Sequence, residues 1–154
     1  MLTDGTPTFA TRLLYTYDAS DNRVRKTVVD ATGAALSHTL YVFDSLELRG
    51  ASYVDNDYER TARTEVGYLF GHGVRLARLQ YEDDASVVAI AGEALHVLLE
   101  LPDHLGSTSI VLDRSSGELV EAGTYVAQGG TETDYRPAKW KGFREDYRFT
   151  GKED

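Results

Sequence analysis

Apolar and polar residues alternate along much of this chain with a period of two, the spacing that sends successive side chains to opposite faces of a strand. Leu95, Val97, Leu99 and Leu101 share one face, and Ala94, His96, Leu98 and Glu100 the other. Val24, Lys26 and Val28 oppose Arg23, Arg25, Thr27 and Val29, the mark of a half-exposed strand. The pattern predicts strands over Leu13–Tyr17, Arg23–Val29, Ala35–Phe43, Leu46–Val54, Arg63–Phe70, Val74–Tyr81, Ser86–Ile90, Leu95–Leu101, Thr108–Leu112 and Glu118–Val126. Turn clusters separate them, among them Asp18–Asn22, Asp30–Gly33, Asp55–Asp57, Glu82–Asp84 and Asp113–Glu118. Asp and Asn fold back on their own backbone and Gly accepts positive φ, so these clusters close hairpins. The best helical competitor, Ser86–Leu99, is interrupted by Gly92 and crowded by β-branched residues. Short strands at roughly ten-residue intervals indicate an all-β fold of antiparallel hairpins.

Composition narrows the function classes. The chain has 154 residues, with 42% hydrophobic and 27% charged positions, which is globular rather than disordered. A net charge of -9 argues against phosphate backbones and anionic lipid as partners. No apolar run approaches the roughly 20 residues of a membrane helix, and no signal peptide is apparent. The absence of Cys excludes disulfide scaffolds and thiol chemistry. Ten Tyr stand beside five Phe and one Trp, an excess that directs attention to where the tyrosines fall.

They fall in a repeat. Tyr15-Thr-Tyr17-Asp18 returns as Tyr41-Val-Phe43-Asp44 and again as Tyr68-Leu-Phe70-Gly71, at lags of 26 and 27 residues. Asn22-Arg23-Val24-Arg25-Lys26 follows the first copy and Val74-Arg75-Leu76 the third. Each unit reads as an aromatic strand, a turn, and a return strand bearing arginine.

The Tyr-x-Tyr-Asp unit followed by Asn-Arg resembles the YD repeat of RHS (rearrangement hotspot) proteins. Leu101-Pro-Asp103-His104-Leu105-Gly106-Ser107-Thr108, with Ile110–Asp113 and Gly117–Val120 after it, resembles the RHS stretch built on Asp-His-Leu-Gly-Ser. Tyr147-Arg148-Phe149-Thr150-Gly151-Lys152-Glu153-Asp154 is similar to the segment that opens the RHS-associated core. Thr124–Gly130 departs from the family's Tyr-Asp-Pro-Tyr-Gly wording. The resemblance is greatest to the C component of bacterial ABC-type insecticidal toxin complexes, over Glu65–Tyr81 and Leu95–Ser107.

That resemblance implies antiparallel β-hairpin repeats forming a curved sheet, a segment of a shell that holds a C-terminal toxin unfolded. It implies residues 1–135 as repeat sheet and 136–154 as a basic, aromatic connector leading into the core region. The implied partners are neighbouring repeats and the encapsulated toxin, with an edge-strand homodimer for a fragment, no nucleic acid and no membrane span. The implied location is secreted or extracellular, within a larger toxin. The family's aspartic autoprotease residues would lie beyond Asp154, so no catalytic residue is carried over and the chain is expected to be non-enzymatic. The alternative is an extracellular YD-repeat module that binds glycan or protein at a cell surface.

Candidate chemistry is sparse. His38, His72, His96 and His104 form no His-x-His or His-x-x-x-His pair, so no metal site is assigned. Asp18–Asn22 and Asp55-Asn56-Asp57 lack the Gly and Glu placement of a calcium loop and suit Asx turns. Asp103, His104 and Ser107 combine the residue types of a catalytic triad but are near neighbours, with no Gly-x-Ser-x-Gly elbow. Gly71-His72-Gly73 reads as a tight turn, not a phosphate loop. No cofactor site is assigned. In the tail, Arg136, Lys139, Lys141, Arg144, Arg148 and Lys152 interleave with Trp140, Phe143, Tyr147 and Phe149. That pattern suits single-stranded nucleic acid, but a cationic connector docking on an acidic sheet is the favoured expectation.

Overall fold

Consecutive antiparallel hairpins build each part of the chain. The computed structural model describes residues 11–61, 64–81, 94–143 and 147, in two compact units, Met1–Glu65 and Val66–Asp154. The first unit carries β1 (Thr11–Tyr17), β2 (Arg23–Asp30), β3 (Ala35–Phe43) and β4 (Leu46–Ala51) in sequence order. A short ladder of β5 (Tyr53–Val54) and β6 (Asp57–Tyr58) follows. The second unit continues with β7 (Glu65–Gly71), β8 (Val74–Tyr81), β9 (Leu95–Pro102), β10 (Thr108–Asp113), β11 (Leu119–Tyr125) and β12 (Thr131–Tyr135), again paired in order. A 3-10 helix, Ala138–Phe143, comes last. The expected all-β, antiparallel class is the one observed.

Two elements differ from the expectation. Leu46–Val54 is not one strand: β4 ends at Ala51, and Tyr53-Val54 turns back on Asp57-Tyr58. Asp55 and Asn56 both adopt left-handed backbone (φ 53° and 64°), which makes a two-residue hairpin turn. β12 is the other. Its sequence, Thr-Glu-Thr-Asp-Tyr, is exposed throughout, and a strand with no buried face shows no apolar alternation to find. The strand expected at Ser86–Ile90 lies outside the described residues.

One turn design closes three of the hairpins. Asp18, Asp30 and Asp103 each accept two backbone amides on one carboxylate oxygen, from the residues two and four positions on, at 2.8–2.9 Å. In each, the amide of the Asp bonds the carbonyl four residues on. The fourth residue of each turn has positive φ: Asp21 (63°), Gly33 (91°) and Gly106 (81°). Gly occupies two of these sites because L side chains are strained there. The Asp of the first Tyr-x-Tyr-Asp unit and the Asp of Asp103–Ser107 therefore do the same job. Asp44 and Gly71 instead sit at two-residue connections, Phe43↔Leu46 and Gly71↔Val74.

The two faces of the second unit's sheet are opposite in character. Val66, Tyr68, Arg78, Gln80, His96, Leu98, Glu100, Val111 and Asp113 are buried on one face. On the other, Leu69, Leu95, Leu99, Leu101 and Ile110 remain 37–52% exposed. In-register pairing joins them across neighbouring strands: Leu69↔Ala77, Ala77↔Leu99, Leu99↔Leu112 and Leu101↔Ile110. Arg78, Glu100 and Asp113 are thus covered while these leucines face out.

Candidate functional site

The covered face of the second unit holds two polar centres, each contacted by a residue of the connector. The first forms where β9 meets the β10–β11 turn. His96 Nδ1 donates to Asp113 Oδ1 at 3.0 Å, with both side chains fully buried. Asp113 Oδ2 accepts from the Ser115 and Ser116 hydroxyls, each at 2.7 Å, and from the Ser116 amide at 2.8 Å. Burial works to raise the Asp113 pKa, but the Ser116, Ser115 and His96 donors outweigh it and hold the group at about 2. Trp140 closes the site. Its ring stands edge-on to His96, 5.1 Å between centroids and 85° between planes, and packs in a buried cluster with Leu98, Val111 and Val120.

The second centre is built on Arg75. Its guanidinium bonds Glu100 through Nε, and Nη2 donates to Thr108 Oγ1 at 3.3 Å and to the Tyr147 carbonyl at 3.2 Å. The Tyr68 and Tyr147 rings flank the guanidinium, with centroids 5.1 Å and 4.9 Å from its carbon. Thr108 Oγ1 donates to the same Tyr147 carbonyl at 3.0 Å, and the Tyr125 hydroxyl bonds the Thr108 carbonyl at 3.1 Å. Arg78, itself fully buried, lies 3.9 Å from Glu100. In the first unit Arg23 repeats part of this arrangement, 4.6 Å from the Tyr15 ring and 5.6 Å from the Tyr41 ring.

The connector docks on this sheet through cations as well as rings. Arg136 pairs with Glu121 at 3.0 Å and with Asp134 at 3.4 Å, and Lys139 bonds Glu118 at 2.6 Å. The tail residues Arg144, Arg148, Phe149 and Lys152, and the side chains of Lys141 and Phe143, lie outside the described residues.

The four histidines are dispersed. His38 shares a hydrogen bond with Thr27 at 3.0 Å under Tyr58 and Tyr53, and burial followed by the Arg25 charge lowers its pKa. His72 takes left-handed backbone (φ 53°) at the β7–β8 turn, and His104 sits in the Asp103–Ser107 turn. Among the described residues no three His, Asp or Glu side chains converge as metal ligands. Asp103 Oδ1 accepts from the Leu105 and Ser107 amides and so closes this turn. Asp18–Asn22 is an Asx turn with Asp18 accepting from Ser20 and Asn22. Sequence reasoning noted Arg75 only as a return-strand arginine and missed Glu100 and the His96–Asp113 pair. A signal existed for the first: Arg23, Arg49 and Arg75 recur at a constant spacing of 26 residues.

In the second unit, fold and site together give an antiparallel hairpin sheet whose polar face is closed by the connector and whose other face leaves leucines exposed. The same fold occurs in components of Tc toxin complexes. The chain matches a component of the Photorhabdus luminescens Tc holotoxin pore carrying a TccC3 variant, at 18% identity and TM-score 0.69 over 99% of its length. It also matches the crystal structures of TcdB2-TccC3 and of TcdB2-TccC3-Cdc42, each at 15% identity over 94% of the chain, with TM-scores of 0.58 and 0.56. The likeness is one of fold, and the chain spans only 7–8% of the length of those chains. No family model matches the chain, and no curated protein matches it. No helix among the described residues is long and apolar enough to cross a membrane.

Proposed function

We propose that this chain is a non-enzymatic segment of an RHS/YD-repeat shell within a secreted bacterial toxin, and that its open apolar face lies against an encapsulated, unfolded toxin chain. Two observations support this. The fold follows that of Tc toxin components over nearly the whole chain, and Leu99, Leu101 and Ile110 face outward on strands whose other face buries Arg78, Glu100 and Asp113. The second carries the proposal, because apolar side chains left open in register form a surface that needs an apolar partner. An unfolded chain supplies one without a fixed shape. The cargo-facing surface on this reading is apolar.

The test uses the chain itself and fluorescein-labelled, reduced and carboxymethylated α-lactalbumin as a permanently unfolded probe. Fluorescence anisotropy should detect binding to that probe and none to the native, disulfide-intact protein. Leu99→Lys/Ile110→Lys should abolish binding while leaving the circular dichroism unchanged. Binding that survives this double substitution, or a chain that ignores the unfolded probe and binds a glycan array, would favour the cell-surface alternative.

A further inference from the structure

Arg23 is flanked by the tyrosines of two successive repeats, Tyr15 of its own unit and Tyr41 of the next. Its Nη1 also donates to the Tyr41 hydroxyl at 3.4 Å. Arg75 stands in the equivalent place of the third repeat, two intervals of 26 residues later, and its own-unit tyrosine is Tyr68. The second ring on Arg75 does not come from another repeat. It is Tyr147, from the connector.

We propose that Tyr147 substitutes for the tyrosine of a following repeat, closing the Tyr–Arg series and strapping the connector to the sheet at a defined point. The inference is independent of what the open apolar face binds. Four contacts bear on it. The Tyr147 ring lies 4.9 Å from the Arg75 guanidinium. The same ring meets Tyr68 edge-on, at 6.0 Å and 89°. The Tyr147 carbonyl accepts from both Arg75 Nη2 and Thr108 Oγ1. A guanidinium between two aromatic faces is attracted by both quadrupoles, and more strongly where water is excluded. Glu100 is almost completely buried, so it holds the arginine in place as the rings close on it. With Trp140 docked upstream, the connector is held at two points. A ring that only filled space would need bulk but no π face, and that difference separates the two explanations.

The measurement is limited trypsin digestion of the full chain, following cleavage after Arg144, Arg148 and Lys152 by mass spectrometry. Hydrogen exchange at Leu98 and Val111 monitors the sheet in the same samples. Tyr147→Phe keeps the π face and should cleave at the wild-type rate. Tyr147→Leu keeps apolar bulk and should cleave about ten-fold faster, with exchange at Leu98 and Val111 unchanged. Arg75→Met should accelerate cleavage similarly, and adding Tyr147→Leu to it should produce little further change. Equal rates for Tyr147→Leu and Tyr147→Phe, or effects of Arg75→Met and Tyr147→Leu that multiply independently, would overturn the proposal. The Tyr147 pair decides the matter even where Arg75→Met loosens the sheet.

Discussion

Replacing Asp113 by Asn removes a buried charge while nearly preserving the side chain's shape, which makes it a direct probe of the first polar centre. The carboxylate accepts from His96, from two serine hydroxyls and from a backbone amide. Burial raises its pKa, and the donors more than reverse this, leaving about 2 against an ordinary 3.8. At about 1.4 kcal/mol per pKa unit, the gap corresponds to about 2 kcal/mol of stability from the ionised form. The sign follows from the direction of the shift. A carboxylate depressed in the folded state contributes fully above its unfolded pKa, near 4, and loses that contribution as the pH falls toward about 2. Urea unfolding followed by Trp140 fluorescence, repeated from pH 6 to pH 2, measures it. Wild type should lose about 2 kcal/mol more than Asp113→Asn between pH 5 and pH 2. Asp18, Asp30 and Asp103, whose pKa values are also lowered, are common to both proteins and cancel in the difference. Parallel stability curves for the two proteins would refute the assignment of Asp113 as the charge that organises this centre.

Three further outcomes follow from the same geometry. Trp140→Ala should destabilise the second unit by about 3–5 kcal/mol, the usual cost of deleting a fully buried large aromatic, read as the shift in a urea midpoint followed by circular dichroism. The His38 ring should titrate below the ordinary 6.5 in an NMR pH series, and Arg25→Ala should raise its midpoint; because the pKa is lowered, the stability His38 contributes is lost as the pH falls through that range. Gly106→Ala should cost about 1–2 kcal/mol although nothing lies within 4 Å of the added methyl, because the site has φ +81°; an unchanged thermal midpoint would contradict a backbone origin.

Most of the strands are legible in the alternation, and Ala35–Phe43 and Val74–Tyr81 match it residue for residue. The hairpin closures are legible too, since an Asp four residues before the end of a tight turn can bind two amides wherever that turn occurs. β12 was invisible because both its faces are exposed, so nothing selects apolar residues at alternate positions. The break after Ala51 was hidden because Tyr53 and Val54 are themselves good strand formers that only change direction.

The chain's own pattern therefore determined that strands form, where most of them turn, and that tyrosines and arginines recur at a fixed interval. All of these depend on backbone geometry and neighbouring residues. Tertiary structure alone decided which side of the sheet is covered. On β9 the pattern Leu95, Val97, Leu99, Leu101 is the more apolar face, yet His96, Leu98 and Glu100 are the buried ones. Trp140 and Tyr147 bring about that reversal from more than forty residues away, because a π edge for His96 and a π face for Arg75 answer polar groups that a leucine side chain cannot.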